Sequence, residues 1–204
     1  LDAKTSGDVL VNATTVTGDF GDLVLVYDTN KANFTALGNE NIVITGGTAE
    51  QVNTIANLTT GKVTATIADT AANLVAALKN SASSDELILT VTGTAKASDL
   101  ITLDGKTSED ITVNATAVTG TYAELIKVYE TNKNNFEDLG CENITITDKT
   151  VTVAQLNAIK DLKTGDVTAT VVAASAAALT DLDSAGTDAI TLTVSGTTAA
   201  AADL

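Results

Sequence analysis

The first residues in this chain that could carry chemistry form an acidic loop. The segment from Asp181 to Asp188 has acids at positions 1 and 3 and a glycine at position 6, as an EF-hand calcium loop does. Position 5 is Ala185, however, and position 12 is Leu192 instead of the bidentate glutamate that such a loop needs. We therefore expect a solvated turn here and no metal site.

Cys141 is the second candidate, because it is the only cysteine. A thiolate metal site or a cysteine nucleophile needs partner residues, and the chain has no histidine to supply them. Histidine is also the usual general base of enzymes. We expect Cys141 to be an incidental substitution in a turn. The sequence predicts no catalytic residue, no cofactor and no enzyme activity.

The charge and hydropathy of the chain exclude two further classes of function. The 204 residues include 11 basic and 26 acidic side chains, which gives a net charge of −15. Such a surface repels a phosphate backbone, so we expect no nucleic-acid partner. No apolar run approaches the roughly 20 residues that span a bilayer, so we expect no membrane insertion.

An internal repeat gives more information than any single residue. Residues 1–6 return as residues 103–108, and Tyr27–Phe34 returns as Tyr129–Phe136, at an offset of 102. The chain therefore contains two copies, 1–102 and 103–204, which we expect to form one continuous structure. Because it starts and stops in step with the repeat, we expect it to be a piece of a longer array.

A shorter period lies within each copy. Val52, Ile55 and Val63 are spaced by 3 and 8 residues, which is typical of a short helix followed by a turn and a strand. The segments Tyr27–Phe34 and Tyr129–Phe136 are interpreted as longer helices. The pattern predicts eight helix–strand units, with strands centred near Val11, Ile44, Ala65, Leu89, Val113, Ile146, Ala169 and Leu192.

Strands that alternate with short helices pair in parallel through right-handed crossovers. Units of this size bury their apolar faces only against their neighbours, which is characteristic of a solenoid. We therefore expect an α/β repeat fold: a β/α solenoid with one parallel sheet, similar in shape to a leucine-rich repeat. Two tandem β-sandwich domains are the alternative, because Thr-rich alternating strands suit a sandwich as well.

The predicted strands carry threonine on one face and aliphatic residues on the other. This alternation indicates a sheet that is packed on one side and solvated on the other. Threonine is a strand former, so the face needs no ligand to explain it; the other interpretation is a flat binding face for a glycan or for ordered water or ice. The face comprises Thr64, Thr66, Thr90, Thr92, Thr112, Thr116, Thr145, Thr147, Thr168, Thr170, Thr191 and Thr193.

Aromatic residues are few, and most of them occur in matched pairs. Tyr27 and Phe34 are seven residues apart, as are Tyr129 and Phe136, which would place each pair on one face of a helix. They are interpreted as core residues of the longer helix, with an aromatic sugar platform as the alternative.

The segments Asp69–Leu78 and Val153–Ile159 each adjoin a Val/Thr strand. They resemble repeats in very large cell-surface and secreted proteins of bacteria, including marine cyanobacteria. The resemblance implies a secreted or cell-surface, structural or adhesive protein, and it carries over no catalytic residue. The partners we expect are neighbouring repeats of the same protein and a glycan or surface ligand. We also expect end-to-end self-association, because a cut solenoid has apolar end faces.

Overall fold

The computed structural model of the chain describes residues 2–162 and 165–204 and shows an α/β protein. Seven α-helices occur in these residues: α1 (Phe20–Val24), α2 (Ala49–Ala56), α3 (Ala71–Ala77), α4 (Ala97–Asp104), α5 (Tyr122–Ile126), α6 (Val153–Leu162) and α7 (Ala176–Leu179). They alternate with eleven strands: β1 (Val9–Leu10), β2 (Thr15–Gly18), β3 (Phe34–Thr35), β4 (Asn41–Ile44), β5 (Val63–Thr70), β6 (Glu86–Lys96), β7 (Ile111–Gly120), β8 (Phe136–Glu137), β9 (Asn143–Ile146), β10 (Val167–Thr170) and β11 (Ala189–Thr191).

Nine of these strands belong to one large parallel sheet, and β1 and β3 form a separate parallel pair. The predicted α/β class and the parallel sheet are therefore confirmed. Parallel neighbours need a crossover, and helices such as α2 and α3 provide it here. The alternative of two tandem β-sandwiches is wrong, because the sheets of a sandwich are antiparallel.

The chain divides into two compact units. The first comprises Leu1–Thr90 and Thr102–Ile111, and the second comprises Val91–Ile101 and Thr112–Leu204. In the first unit the strand order is β2-β4-β5-β6, and in the second it is β6-β7-β9-β10-β11, because β6 has residues in both. The assignment of two copies, 1–102 and 103–204, as one continuous solenoid stays a prediction.

The first half of each copy has its elements at matching positions. The helices α1 and α5 begin and end 102 residues apart, and so do the strands β4 and β9. The long strand β7 covers the positions that are divided between β1 and β2 in the first unit, and it pairs with both β8 and β9.

The predicted periodicity places the core correctly. Val52 and Ile55 of α2 and Val63 of β5 are all buried, as the spacing of 3 and 8 requires. Because the aromatic content is only 3%, aliphatic side chains and alanine fill most of this core. Thr48 caps α2 in a capping box with Gln51, so local sequence specifies where this helix begins.

The longer helix predicted for Tyr27–Phe34 and Tyr129–Phe136 is wrong. The chain leaves α1 through a π-helical turn at Leu25–Thr29 and then forms one 3₁₀ turn, Lys31–Asn33. The N–H of Asn30 donates to the carbonyl of Leu25 at 2.8 Å, which closes the π turn. Phe34 lies in β3, since its backbone is extended. Asparagine favours turns over helix interiors, which explains why the helix ends here.

Candidate binding face

The face predicted from the sequence is formed by alternate residues of the parallel strands. In β5, the side chains of Val63, Ala65 and Ile67 are buried, while those of Thr64 and Thr66 lie on the other side of the sheet. The same alternation holds along the first seven residues of β6. The distinction between an apolar side and a threonine side is therefore confirmed within these strands.

None of the twelve predicted threonines is buried. Ten lie in strands, while Thr147 and Thr193 lie just beyond the ends of β9 and β11. The exposed members are Thr66, Thr116, Thr147, Thr168, Thr191 and Thr193. The half-buried members are Thr64, Thr90, Thr92, Thr112, Thr145 and Thr170.

The register of the second unit aligns part of this face into a row. Thr119 of β7 lies opposite Thr145 of β9, and Thr145 lies opposite Thr168 of β10. Neighbouring strands are about 4.8 Å apart, so three threonines follow one another at that spacing. The row ends at Ala189 of β11. The predicted set does not include Thr119. Counting every second residue from Thr112 and Thr116 places even-numbered residues on the threonine side of the strand, and Thr119 is odd-numbered.

The phase of β7 changes between its two halves. Ile111 and Val113 are buried in the first half, but Val118 and Gly120 are buried in the second, so the inward side moves from odd to even positions. This shift places Thr119 on the same side as Thr116. A change of phase within a strand is characteristic of a β-bulge, which no count of period two can predict.

In the first unit the matching row is interrupted. Thr17 of β2 lies opposite Val43 of β4, and Val43 lies opposite Thr64 of β5. The hydroxyl of Thr64 donates to Glu86 Oε2 at 3.2 Å, and Glu86 also forms an ion pair with Lys62. The hydrogen bond from Lys62 holds the pKa of the Glu86 carboxyl below its usual range. This part of the face is therefore charged and internally paired.

Buried carboxylates, whose role the sequence pattern did not indicate, hold the turns that precede the strands β6 and β11. Asp85 accepts hydrogen bonds from the N–H of Val63 and of Ala82, both at 2.9 Å. Asp188 accepts at 2.7 Å from the N–H of Val167 and of Ala185 in the same pattern. The sequence feature that relates these two residues is their spacing, since Asp188 follows Asp85 by 103 residues.

Asp188 has one partner more than Asp85. Lys160 Nζ lies 2.7 Å from one of its carboxylate oxygens, and the Asp188 carboxylate is almost fully buried. Burial alone would raise the pKa of Asp188, but Lys160 and the backbone donors outweigh burial and lower it. Asp188 therefore acts in the fold as a buried anion.

The acidic loop contains no described metal site. The amide of Asn157 holds it through backbone atoms: its Nδ2 donates to the carbonyl of Asp181, and its Oδ1 accepts from the N–H of Asp183, both at 2.9 Å. Across residues 2–162 and 165–204, no group of three or more His, Cys, Asp or Glu side chains could hold an ion. The solvated turn that the sequence predicts for this segment agrees with the exposure of Asp181 and Asp183, but it is wrong for Asp188, whose carboxylate is buried.

A second buried acid pairs with a tyrosine in each unit. The hydroxyl of Tyr27 donates to Glu40 Oε2 at 3.2 Å, and the N–H of Gly38 donates to the same oxygen at 2.8 Å. Burial would raise the pKa of Glu40, but the donors of its own turn and of Tyr27 lower it. Burial and the nearby Glu40 charge raise the pKa of Tyr27 above its usual range. These contacts agree with the interpretation of Tyr27 as a core residue.

The second unit repeats this arrangement, and two open clefts lie beside it. Tyr129 donates to Glu142 Oε2 at 3.0 Å, and burial, followed by the Glu142 charge, raises the pKa of Tyr129. Clefts of about 440 and 450 Å³ are both lined by Asp138 and Leu139. Cys141 lines the second cleft and is exposed, directly after the turn at residues 139–140.

Comparisons with known proteins add no constraint, since no protein-family model, no curated protein and no solved structure matches the chain. Within the described residues, no helix has both the length and the apolar character needed to cross a bilayer.

Proposed function

We propose that this chain is a structural or adhesive tandem-repeat segment of a large secreted or cell-surface bacterial protein, with no chemistry of its own. One observation carries the proposal: the elements and their buried polar contacts recur between the units. The Tyr27–Glu40 pair returns as Tyr129–Glu142, 102 residues later. Recurrence of whole supersecondary units is how repeat proteins are built.

The mechanism we propose is mechanical. The short helix–strand units would continue side by side as a β/α solenoid with one parallel sheet, and the array would extend or present other domains. Neighbouring repeats of the same protein are its first partners. The net charge of −15 supports this role, because it keeps such an array soluble and separate from other acidic polymers.

Force spectroscopy of the whole chain, held at its two ends, tests the mechanical part. In an array stabilised by nearest neighbours, we expect unfolding in several steps. The steps should sum to about 700 Å, from 204 residues at about 3.5 Å each. A single all-or-none event without intermediates would contradict the array.

The proposed location needs a separate test. Antibodies raised against the purified chain should label intact cells that carry the gene, and external protease should remove the label. Labelling that appears only after lysis would contradict a secreted or cell-surface position.

A binding module that uses the threonine face for a glycan or for ordered water or ice is the second candidate. The row Thr119–Thr145–Thr168 favours it, because three hydroxyl groups lie on adjacent strands in register. An ice-growth assay and a glycan array test it. Val43→Thr would complete the matching row of the first unit and should increase activity, while Thr145→Lys should abolish it. If both variants behave like the unmodified chain, the face is only a solvated surface.

A further inference from the structure

The two outermost strands of the large sheet correspond to two strands that are neighbours inside it. The sheet ends at β2 on one side and at β11 on the other. The sequence Leu89-Thr90-Val91 of β6 returns at residues 192–194, next to β11, and β2 corresponds to the second half of β7. The strands β6 and β7 are adjacent in the sheet. The pairing of β6 with β7 inside the chain is therefore a template for a pairing of the β11 edge with the β2 edge.

We infer that the β11 edge of one chain binds the β1–β2 edge of a second copy of this chain as a parallel strand, so that copies join head to tail. This inference rests on the proposed function, since it assumes that copies of the repeat pack side by side. It goes further by naming the two edges and by making the contact heterologous, which leaves both ends of a growing assembly free to bind.

Exposure supports the choice of the β11 edge. Leu89 and Val91 are 0% exposed, whereas Leu192 and Val194, at the corresponding positions, are each 44% exposed. Leu204 is 81% exposed, while Leu100 is fully buried. The same apolar sequence is thus covered in the interior, where β6 lies between β5 and β7, and uncovered at the edge.

Within the first unit, the start of the second copy shows how an incoming N-terminus would bind. Thr107 Oγ1 accepts the N–H of Leu87 at 2.9 Å and donates to the carbonyl of Leu87 at 2.8 Å. The N–H of Ser108 donates to the carbonyl of Asp85 at 2.8 Å. These contacts attach residues 102–111 to the first half of β6.

The corresponding N-terminal residues of the chain are available for the same contacts. Thr5 and Ser6 stand where the second copy has Thr107 and Ser108, and both are exposed. Leu10, a few residues later, is 62% exposed. On a second chain, Thr5 would bind the backbone of Ile190 as Thr107 binds Leu87.

Gly18 of β2 indicates how the other edge would take part in this contact. Within the second unit, a Cβ on Gly120 would lie only 2.8 Å from the Cβ of Ala97. Gly18 is the corresponding residue of β2, and there the closest atom is 3.5 Å away and belongs to Leu23 of its own α1. Gly18 leaves room for an alanine like Ala97. Ala201, three residues before Leu204 as Ala97 is before Leu100, would occupy this space in a head-to-tail pair.

Backbone geometry identifies the groups that would pair. The carbonyls of Thr14 and Gly18 accept hydrogen bonds from the β4 side, so the alternation of a parallel ladder directs the N–H and carbonyl of Thr17 away from β4. The carbonyl of Thr191 accepts from the β10 side, which directs the N–H and carbonyl of Leu192 away from β10. Proline at position 17 or 192 would remove an outward N–H and keep these inner contacts.

The test is sedimentation equilibrium of the whole chain from micromolar to millimolar concentration at low and high salt. The mass should rise with concentration beyond that of a dimer, and more so at high salt, because screening weakens the repulsion between chains of charge −15. Thr17→Pro and Leu192→Pro should each weaken association at least about tenfold, through a lost hydrogen bond and a blocked edge. Thr17→Val and Leu192→Val keep the N–H and serve as matched controls.

Mixing the two proline variants provides the sharpest result. Each retains one intact edge, and those edges are complementary, so the mixture should form pairs of twice the chain mass and stop there. Circular dichroism should show both variants folded before they are mixed.

A mixture that remains monomeric, a chain that is monomeric under all conditions, or proline and valine variants that associate equally would overturn the inference. Stepwise unfolding under force does not depend on this contact. The proposed mechanical function could therefore stand while the head-to-tail edge fails.

Discussion

Substitution of Asp85 by asparagine tests whether the buried turn acids hold the strands in place. Asp85 is 5% exposed, and each of its two carboxylate oxygens accepts one backbone N–H at 2.9 Å. An asparagine has one acceptor oxygen, so it can satisfy either Val63 or Ala82. Its amide nitrogen would then face the other donor.

The magnitude follows from that geometry. One buried N–H loses its acceptor, which costs about 1–3 kcal/mol, and the remaining bond loses its charge-assisted part. We expect Asp85→Asn to lower the free energy of unfolding by about 2–4 kcal/mol. This is a large share of the roughly 5–15 kcal/mol that holds a typical domain together.

Urea unfolding followed by circular dichroism measures this change, and Asp110→Asn is the matched control. Asp110 is exposed and directly precedes β7, so its substitution removes the same charge without removing a buried acceptor. We expect the control to lie within about 0.5 kcal/mol of the unmodified chain. If Asp85→Asn does no more than the control, the carboxylate does not hold the turn and the reasoning is refuted.

Three further predictions concern the turns and the buried acids. Ala36 has a φ of 58°, so Ala36→Gly should relieve left-handed strain and raise the free energy of unfolding by about 0.5–1 kcal/mol; a loss in urea unfolding would contradict this. Gly61→Ala should cost about 3 kcal/mol or more, because its Cβ would lie 2.1 Å from the carbonyl oxygen of Glu40; an unchanged melting temperature would show that the turn can move aside. The pKa of Asp188 is lowered in the folded chain, so its contribution to stability is present above about pH 4 and is lost as the pH falls further. Asp188→Asn should therefore flatten the acid side of the stability–pH curve, and an unchanged acid side would contradict the assignment.

Much of the architecture could be predicted from local pattern alone. The spacing of Val52, Ile55 and Val63 identified one helix face and one strand, since burial on a helix and on a strand follows fixed periods. Alternation in β5 likewise identified the side of the sheet that carries Thr64 and Thr66. Both are short-range properties of the backbone, so the sequence contains them directly.

The segment from Leu25 to Phe34 could not be predicted in this way. Its helical spacing of aromatic residues is real, but Tyr27 turns inward to Glu40 and Phe34 joins a strand that pairs with β1. A strand of two residues depends on a partner that is distant in sequence. Long-range pairing therefore overrode the local signal.

The sequence by itself determined the internal repeat, the parallel α/β class, and the threonine and aliphatic sides of the strands, because each depends on residue type and spacing along the chain. Tertiary structure decided which threonines align. The change of burial phase within β7 accompanies the alignment of Thr119 with Thr145 and Thr168, and Val43 interrupts the row in the first unit. It also decided that Asp85 and Asp188 are buried anchors of turns, because one of the two N–H groups that donate to each carboxylate belongs to a strand more than twenty residues away.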